Sequence, residues 1–396
     1  MSMPNDNVVL STTPQALLLN PPVTAEQVAE RLGNIKLIVN GLECNQWDDI
    51  SIDSDIGIPA DGWSFAWLGV DLTTLPDVVK SGAVCQISLE LKEKSRILMV
   101  GVIDKIQQTV SRGQIGVAIT GRDLAGQLLD TSAPITQGQN MTLEEIIHRF
   151  IFNSDLGSLP WQILPQDNNY LKAKVGIEDG LSVWDAINKG AEASGQYVWM
   201  SPDGAICIGN PFNVQQSQGL TFIMNKKSTE EKPNLITNIT YSEDLSNAYS
   251  IVEVVGQDDK GNNFRGIATD DRLPIKRRKI LNESKAENQA EAMQYAQKAL
   301  HDSWLDAYEC VLTLPFWAAL ELGWKVSFES DVMPRIVGDW VIYGRTLKLD
   351  RQNGKTTELR LRKFSDWMQP IQHVELIKDT KAKKAKKQTT VRRKRK

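Results

Sequence analysis

The sequence predicts an α+β fold of mainly β character. Two similar tube-type β-barrels flank an α/β helix-hairpin module, and a helical insertion interrupts the second barrel. Three observations carry this prediction. Apolar residues alternate with period two over residues 34–126 and again in the last third of the chain. Between these regions the period changes to that of helices followed by a hairpin. The 396-residue length is enough for more than one hydrophobic core.

Residues 1–33 read as an N-terminal arm. STTPQALLLNPPV is proline-rich and aperiodic, and Thr24 is placed to cap a short helix, AEQVAERL. From Gly33 the pattern is that of strands. KLIVNG, WDDISIDSDI and WSFAWLGV are separated by Gly, Pro and Asp, and the stretch 85–123 reads as three or four further antiparallel strands. Asn40-Gly41 and Arg112-Gly113 are hairpin signals, because these residues tolerate the positive φ of tight turns. Short strands without intervening helices predict a barrel or sandwich over residues 34–126.

Residues 127–232 form the α/β module. Thr142 with Glu145 makes a capping box ahead of apolar positions 143, 146, 147, 150 and 151 on one helix face. A second helix, SVWDAINKGAEASG, is expected to end at Gly195. It leads into QYVWMSPDGAICIGN, a hairpin turning at Pro202-Asp203-Gly204. Strand patterns then return, and the second barrel is assigned to residues 233–256 and 305–365, with a turn at Asn353-Gly354. Residues 257–304 are the insertion, mostly a long helix rich in Ala, Gln and Glu. Residues 366–396 are a C-terminal extension.

Composition narrows the function classes. No apolar run approaches the roughly 18 residues that cross a bilayer, so no membrane role is expected. The N-terminus lacks the pattern of a signal peptide, which places synthesis in the cytoplasm. Net charge is −4, yet residues 378–396 hold eleven Lys/Arg and one Asp, which leaves −14 on the rest. The run includes Lys383, Lys384, Lys386, Lys387, Arg392, Arg393, Lys394 and Arg395, and its near lack of apolar residues predicts disorder in isolation. An acidic body with a short cationic tail is not the charge pattern of a duplex-binding domain.

Catalytic and metal motifs are missing. The four cysteines, at 44, 85, 207 and 310, have no CxxC pairing, and His148, His301 and His373 are far apart in sequence. Neither a phosphate-binding loop nor a dinucleotide fingerprint follows a strand, so no cofactor is expected. Acidic pairs such as Asp48-Asp49 and Asp270-Asp271 fit solvated surfaces. Eleven tryptophans exceed nine phenylalanines, and tryptophan serves cores, glycan platforms and interfaces alike. Trp63 and Trp67 in the first barrel, and Trp324 and Trp340 in the second, are the candidates for barrel-core or inter-barrel interface packing.

Three segments, in order, resemble the hub proteins of Mu-like contractile phages and the related late-control family, which is akin to the hub part of type VI secretion spikes. They are ITGRDLAGQLLDTSAPI at 119–135, MTLEEIIHRFI at 141–151 and VGIEDGLSVWDAINKGAEASGQYVWMSPDGAICIG at 175–209. In the third, Ser182, Trp184, Asp185, Ala186, Ala193 and Gly195 match the family helix. The closing strands GDWVIYGRTLKLDRQNGKTTELRLR also look like the family's.

The resemblance implies a homotrimeric baseplate hub that adapts a six-fold tail tube to a three-fold spike. The tube protein, the spike protein and other baseplate proteins would be its partners, with the tape-measure protein reached through the basic tail. Its place would be the baseplate of a virion or phage-like particle assembled in the bacterial cytoplasm. The competing reading is a tail-associated cell-wall hydrolase or a glycan-binding module, which a carboxylate pair in a cleft or an exposed Trp stripe would mark.

Overall fold

A computed structural model describes residues 33–364 apart from 70, 73–75, 92–93, 136–139, 166–173, 193–195, 213–219, 230–233, 258–262, 274–275, 283–288 and 351–353. Residues 1–32 of the arm with the Thr24 cap, Gly195, Asn353, His373 and the basic tail lie outside the described residues.

The first β region contains β1 (Asn34–Val39), β2 (Leu42–Cys44), β3 (Asp49–Asp55), β4 (Gly62–Leu68), β5 (Val84–Glu90), β6 (Ser95–Ser111) and β7 (Gln114–Asp123), all paired antiparallel. Alternation sets the faces: Ile35, Leu37 and Val39 point inward, as do Trp63 and Phe65. Asn40 at φ 50° and Gly41 at φ 81° make the left-handed two-residue turn that the sequence signals.

The module follows with helices α1 (Ala125–Asp130), α2 (Leu143–Ile147) and α3 (Val183–Glu192). Its strands include β8 (Asn140–Thr142), β9 (Gln162–Pro165), β10 (Lys174–Gly176), β11 (Tyr197–Met200) and β12 (Ala205–Gly209). The capping box forms in full, Thr142 Oγ1 accepting from the Glu145 amide and the Glu145 carboxylate from the Thr142 amide. Such a cap stabilises a helix start by about 1 kcal/mol. Leu143, Ile146, Ile147, Phe150 and Ile151 are all buried, and α2 continues as a π-helical turn over His148–Phe152. The hairpin turns at Gly204, φ 85°.

The second β region comprises β13 (Thr221–Met224), β14 (Asn238–Glu243), β18 (Tyr308–Pro315), β19 (Lys325–Ser330), β20 (Gly338–Asp350) and β21 (Gly354–Lys363). Between β14 and β18 lie β15 (Ile251–Gln257), β16 (Asn263–Thr269), β17 (Arg278–Asn282) and α4 (Gln289–Leu305). The long helix stands where its composition places it.

Two boundaries differ from those expected. β15 does not extend the second β region; it pairs with β16 and β17 in a separate three-stranded sheet, with Val252, Val254, Ala268 and Ala292 in one core with α4. The insertion therefore contains its own sheet, two of whose strands, β16 and β17, lie within residues 257–304, where the sequence predicts mostly a long helix. β13, placed by sequence in the α/β module, pairs parallel with β19 of the second region. Alternation fixes which face of a strand is buried, but not which strand it meets.

The two β regions are joined edge to edge. β3 pairs antiparallel with β20 from Gly344↔Asp55 to Leu349↔Ile50, giving one 13-stranded sheet. The first core runs through this seam, since Phe316, Ala318 and Leu347 belong to it.

Candidate functional site

The residues that link the parts of the chain cluster at the exit from β7 and along the β3–β20 seam. Each member of Gly121-Arg122-Asp123 has a distinct task. A Cβ on Gly121 would lie 2.1 Å from the Val102 carbonyl oxygen and 2.4 Å from the Trp63 ring, so only glycine lets that indole close the core. Trp63 Nε1 in turn donates to the Arg122 carbonyl.

Arg122 is held by two carboxylates. Its Nε donates to Asp104 at 2.7 Å and an Nη to Asp130 at 2.6 Å, which joins β6, β7 and α1. The guanidinium holds the Asp130 carboxyl below its ordinary range through these hydrogen bonds. Asp123 is 4% exposed and accepts from the Ala125 amide at 3.0 Å, so it caps the entry to α1. Burial pushes its carboxyl up from 3.8 to about 7. Asp61, whose carboxylate accepts from the Asp55 amide, is also raised well above its ordinary value, first by burial and then by the charge of Asp123.

Along the seam, Arg360 of β21 reaches across β20 to Asp53 and Asp55 on β3, both at 3.0 Å. Thr346 Oγ1 donates to Asp53 at 2.6 Å and accepts from Arg360 at 3.1 Å. A Cβ at Gly344 would lie 2.5 Å from Arg360 Nε, so this glycine makes room for the clamp at a register shift in β20. Arg345, 5% exposed, donates to the Ala318 and Leu320 carbonyls, both at 2.7 Å, and binds the 316–322 loop to the seam.

Beside these groups lies a cavity of about 260 Å³. Its lining draws Asp61, Leu98 and Asp123 from the first region, Trp199 and Met200 from the module, and Leu322 and Arg345 from the second region. The site is thus a junction of three units. Its charged groups are largely committed to each other, an arrangement suited to fixing relative orientation.

The tryptophans divide by depth. Trp63 and Trp340 are buried inside their own regions at 4% and 1% exposure, and Trp340 Nε1 donates to the Ile336 carbonyl. Trp67 and Trp324 are half-buried. Trp67 stands edge-on to Trp47 at 6.4 Å, and both line a small apolar hollow with Leu42, Pro76 and Val79.

His148 is exposed on the π turn and His301 is buried on α4. Among the described residues, no group of three or more His, Cys, Asp or Glu is placed to hold a metal ion, and no helix is long and apolar enough to cross a membrane. The sequence did not reveal Asp61 and Arg360 as site residues. Arg360 shares a polar strand face with Glu358 and Arg362, and Asp61 lies in a turn, so neither charge stands out in the sequence.

Comparison with known proteins agrees with this architecture. The family model for the N-terminal domain of Mu phage baseplate assembly protein GpP-like matches residues 34–123. That for the second domain of gp44-like baseplate hub protein matches residues 125–210. None of the curated proteins matches the sequence.

Among solved structures, a tail protein from Neisseria meningitidis MC58 is 25% identical with a TM-score of 0.70, covering 85% of this chain and 98% of its own. The 43 kDa tail protein of prophage MuSo2 from Shewanella oneidensis is 14% identical with a TM-score of 0.67, over 84% and 98%. The E. coli c3393 protein is a type VI secretion component described as structurally similar to the T4 tail proteins gp27 and gp5. It shares the fold at 10% identity and a TM-score of 0.51, over 84% and 78%. Over residues 34–210 the chain therefore carries the first two domains of Mu-like phage baseplate hub proteins, and it is a hub-like structural protein of the phage tail baseplate.

Proposed function

We propose that this chain is the central hub of a contractile-type tail, a homotrimer that adapts a six-fold tube to a three-fold spike and performs no catalysis. The observation that carries the reading is the β3–β20 seam, which fixes two β-rich units side by side in one continuous sheet. Three such chains around an axis present six comparable β surfaces on one side and retain three-fold contacts on the other. A closed ring of this kind needs matching interfaces on neighbouring copies. The Arg360 and Arg122 clamps support the reading because they hold the units in one orientation, which a symmetric ring requires. Tube, spike and other baseplate proteins are the partners this geometry suits, and the cationic run at 378–396 is assigned to an acidic partner such as a tape-measure protein.

Light scattering on the purified protein tests the central claim. The expected mass is three times the 44.2 kDa chain. A stable monomer at micromolar concentration overturns the trimer.

A further inference from the structure

A second hollow, of about 270 Å³, is walled by every unit of the chain. Ile56, Ile58 and Pro59 come from the loop after β3, Trp184 and Tyr197 from the module, Leu305 from the end of α4 and Tyr343 from β20. Its lining mixes aromatic and aliphatic side chains with the Asn188 amide and three carboxylates, and Ile58 is 50% exposed. All three charged residues of the lining, Glu192, Asp302 and Asp306, are acidic. Lys298 pairs with Asp302 and Arg362 with Asp306.

The described chain ends at this place. Phe364, the last described residue, packs with Ile56, Tyr197 and Tyr343 against Phe212, Leu305 and Val341. Its amide donates to the Asp339 carbonyl, and Lys325 Nζ lies 4.4 Å from its ring centre. Four of its neighbours, Ile56, Tyr197, Leu305 and Tyr343, are therefore also walls of the hollow. Beyond it the sequence reads SDWMQPI, in which Trp367, Met368, Pro370 and Ile371 are apolar. Trp367 is three residues past Phe364, within about 10 Å of extended chain.

We propose that this groove is the seat of the chain's own continuation past Phe364, with the Trp367 side chain as the anchor. An indole has a large apolar body and a polar N–H. The hollow offers it aromatic and aliphatic walls and carboxylate acceptors at the rim. Apolar residues held immediately before a cationic run also fix where that run begins. The lysines and arginines of 378–396 then leave the hub from the face between the module and the second β region, past the acidic rim. Because the hollow takes walls from all four units, the same contact fastens them together. This inference does not depend on the trimer.

The test uses the full chain. In one arm, Ile58→Cys and Met368→Cys are combined and treated with a short bis-maleimide. An intrachain cross-link is expected, and its absence overturns the proposal. A cross-link found only between two chains assigns the groove to a second copy's segment and overturns it equally. In the other arm, hydrogen exchange is compared between the native chain and Trp367→Asp. The Ile56 amide, bonded to the Tyr343 carbonyl at 3.0 Å, and the Ile58 amide should exchange about tenfold faster in the variant, while β6 and β7 keep native protection. Unchanged exchange at Ile56 and Ile58 overturns the proposal. If the variant does not fold, the cross-linking arm decides alone.

Discussion

Asp123→Asn tests whether a buried carboxyl at the junction makes this protein less stable as pH rises. Asp123 is 4% exposed, with its carboxyl raised from 3.8 to about 7 chiefly by burial. The native state therefore keeps a proton between about pH 4 and 7 that the unfolded chain releases. Stability falls with rising pH wherever the native state binds more protons. The contribution is fully present below pH 4, declines across this window and is gone above about pH 7.

At 1.36 kcal/mol per pKa unit, the change from 3.8 to about 7 corresponds to roughly 4 kcal/mol. The slope approaches about 1.4 kcal/mol per pH unit for one proton. Asparagine keeps the oxygen that accepts from Ala125 and cannot ionise. Asp61 should also titrate nearer its ordinary value in the variant, because the Asp123 charge is one cause of its upward shift. Urea unfolding midpoints measured from pH 5 to 8 decide the matter. The native chain should lose stability across the range and the variant should lose distinctly less. Equal slopes in the two proteins refute the reasoning.

Three further outcomes are expected. Arg360→Met should destabilise by about 2–3 kcal/mol, less than a fully buried pair because Asp53 is one-third exposed, and proteolysis should show looser coupling of the two β regions. Trp340→Ala should cost about 3–5 kcal/mol in chemical denaturation, since it empties a site 1% exposed and removes the donor to Ile336, whereas Trp67→Ala should cost clearly less. Deleting residues 378–396 should abolish the salt-dependent part of partner binding, measured between 50 and 300 mM salt at about constant pH, and leave the unfolding transition unchanged.

Much of the local structure was legible in the sequence because its causes are local. Asn40-Gly41 sets the first hairpin through backbone sterics, and Thr142 with Glu145 satisfies helix amides only three residues away. The five apolar positions of α2 and its π turn are buried as their spacing predicts. Gly121-Arg122-Asp123 lies in the first of the segments that carry the family resemblance, although the close approach of Trp63 to Gly121 appears only in three dimensions.

Strand partnership was decided elsewhere. Ile251–Gln257 and Thr221–Met224 have the alternation or apolar content of strands, and each pairs outside the unit to which sequence assigned it. The β3–β20 seam joins residues nearly three hundred positions apart, and the Arg360 clamp across it spans slightly more than three hundred. Period-two patterning specifies a buried face, while backbone hydrogen-bonding groups at a strand edge are chemically alike along the whole chain. Partner choice therefore follows from how the cores close together. The sequence by itself determined the elements, their caps and their inward faces; the tertiary structure alone decided that two β regions share one sheet and that Asp61, Asp123 and Arg345 meet at their junction.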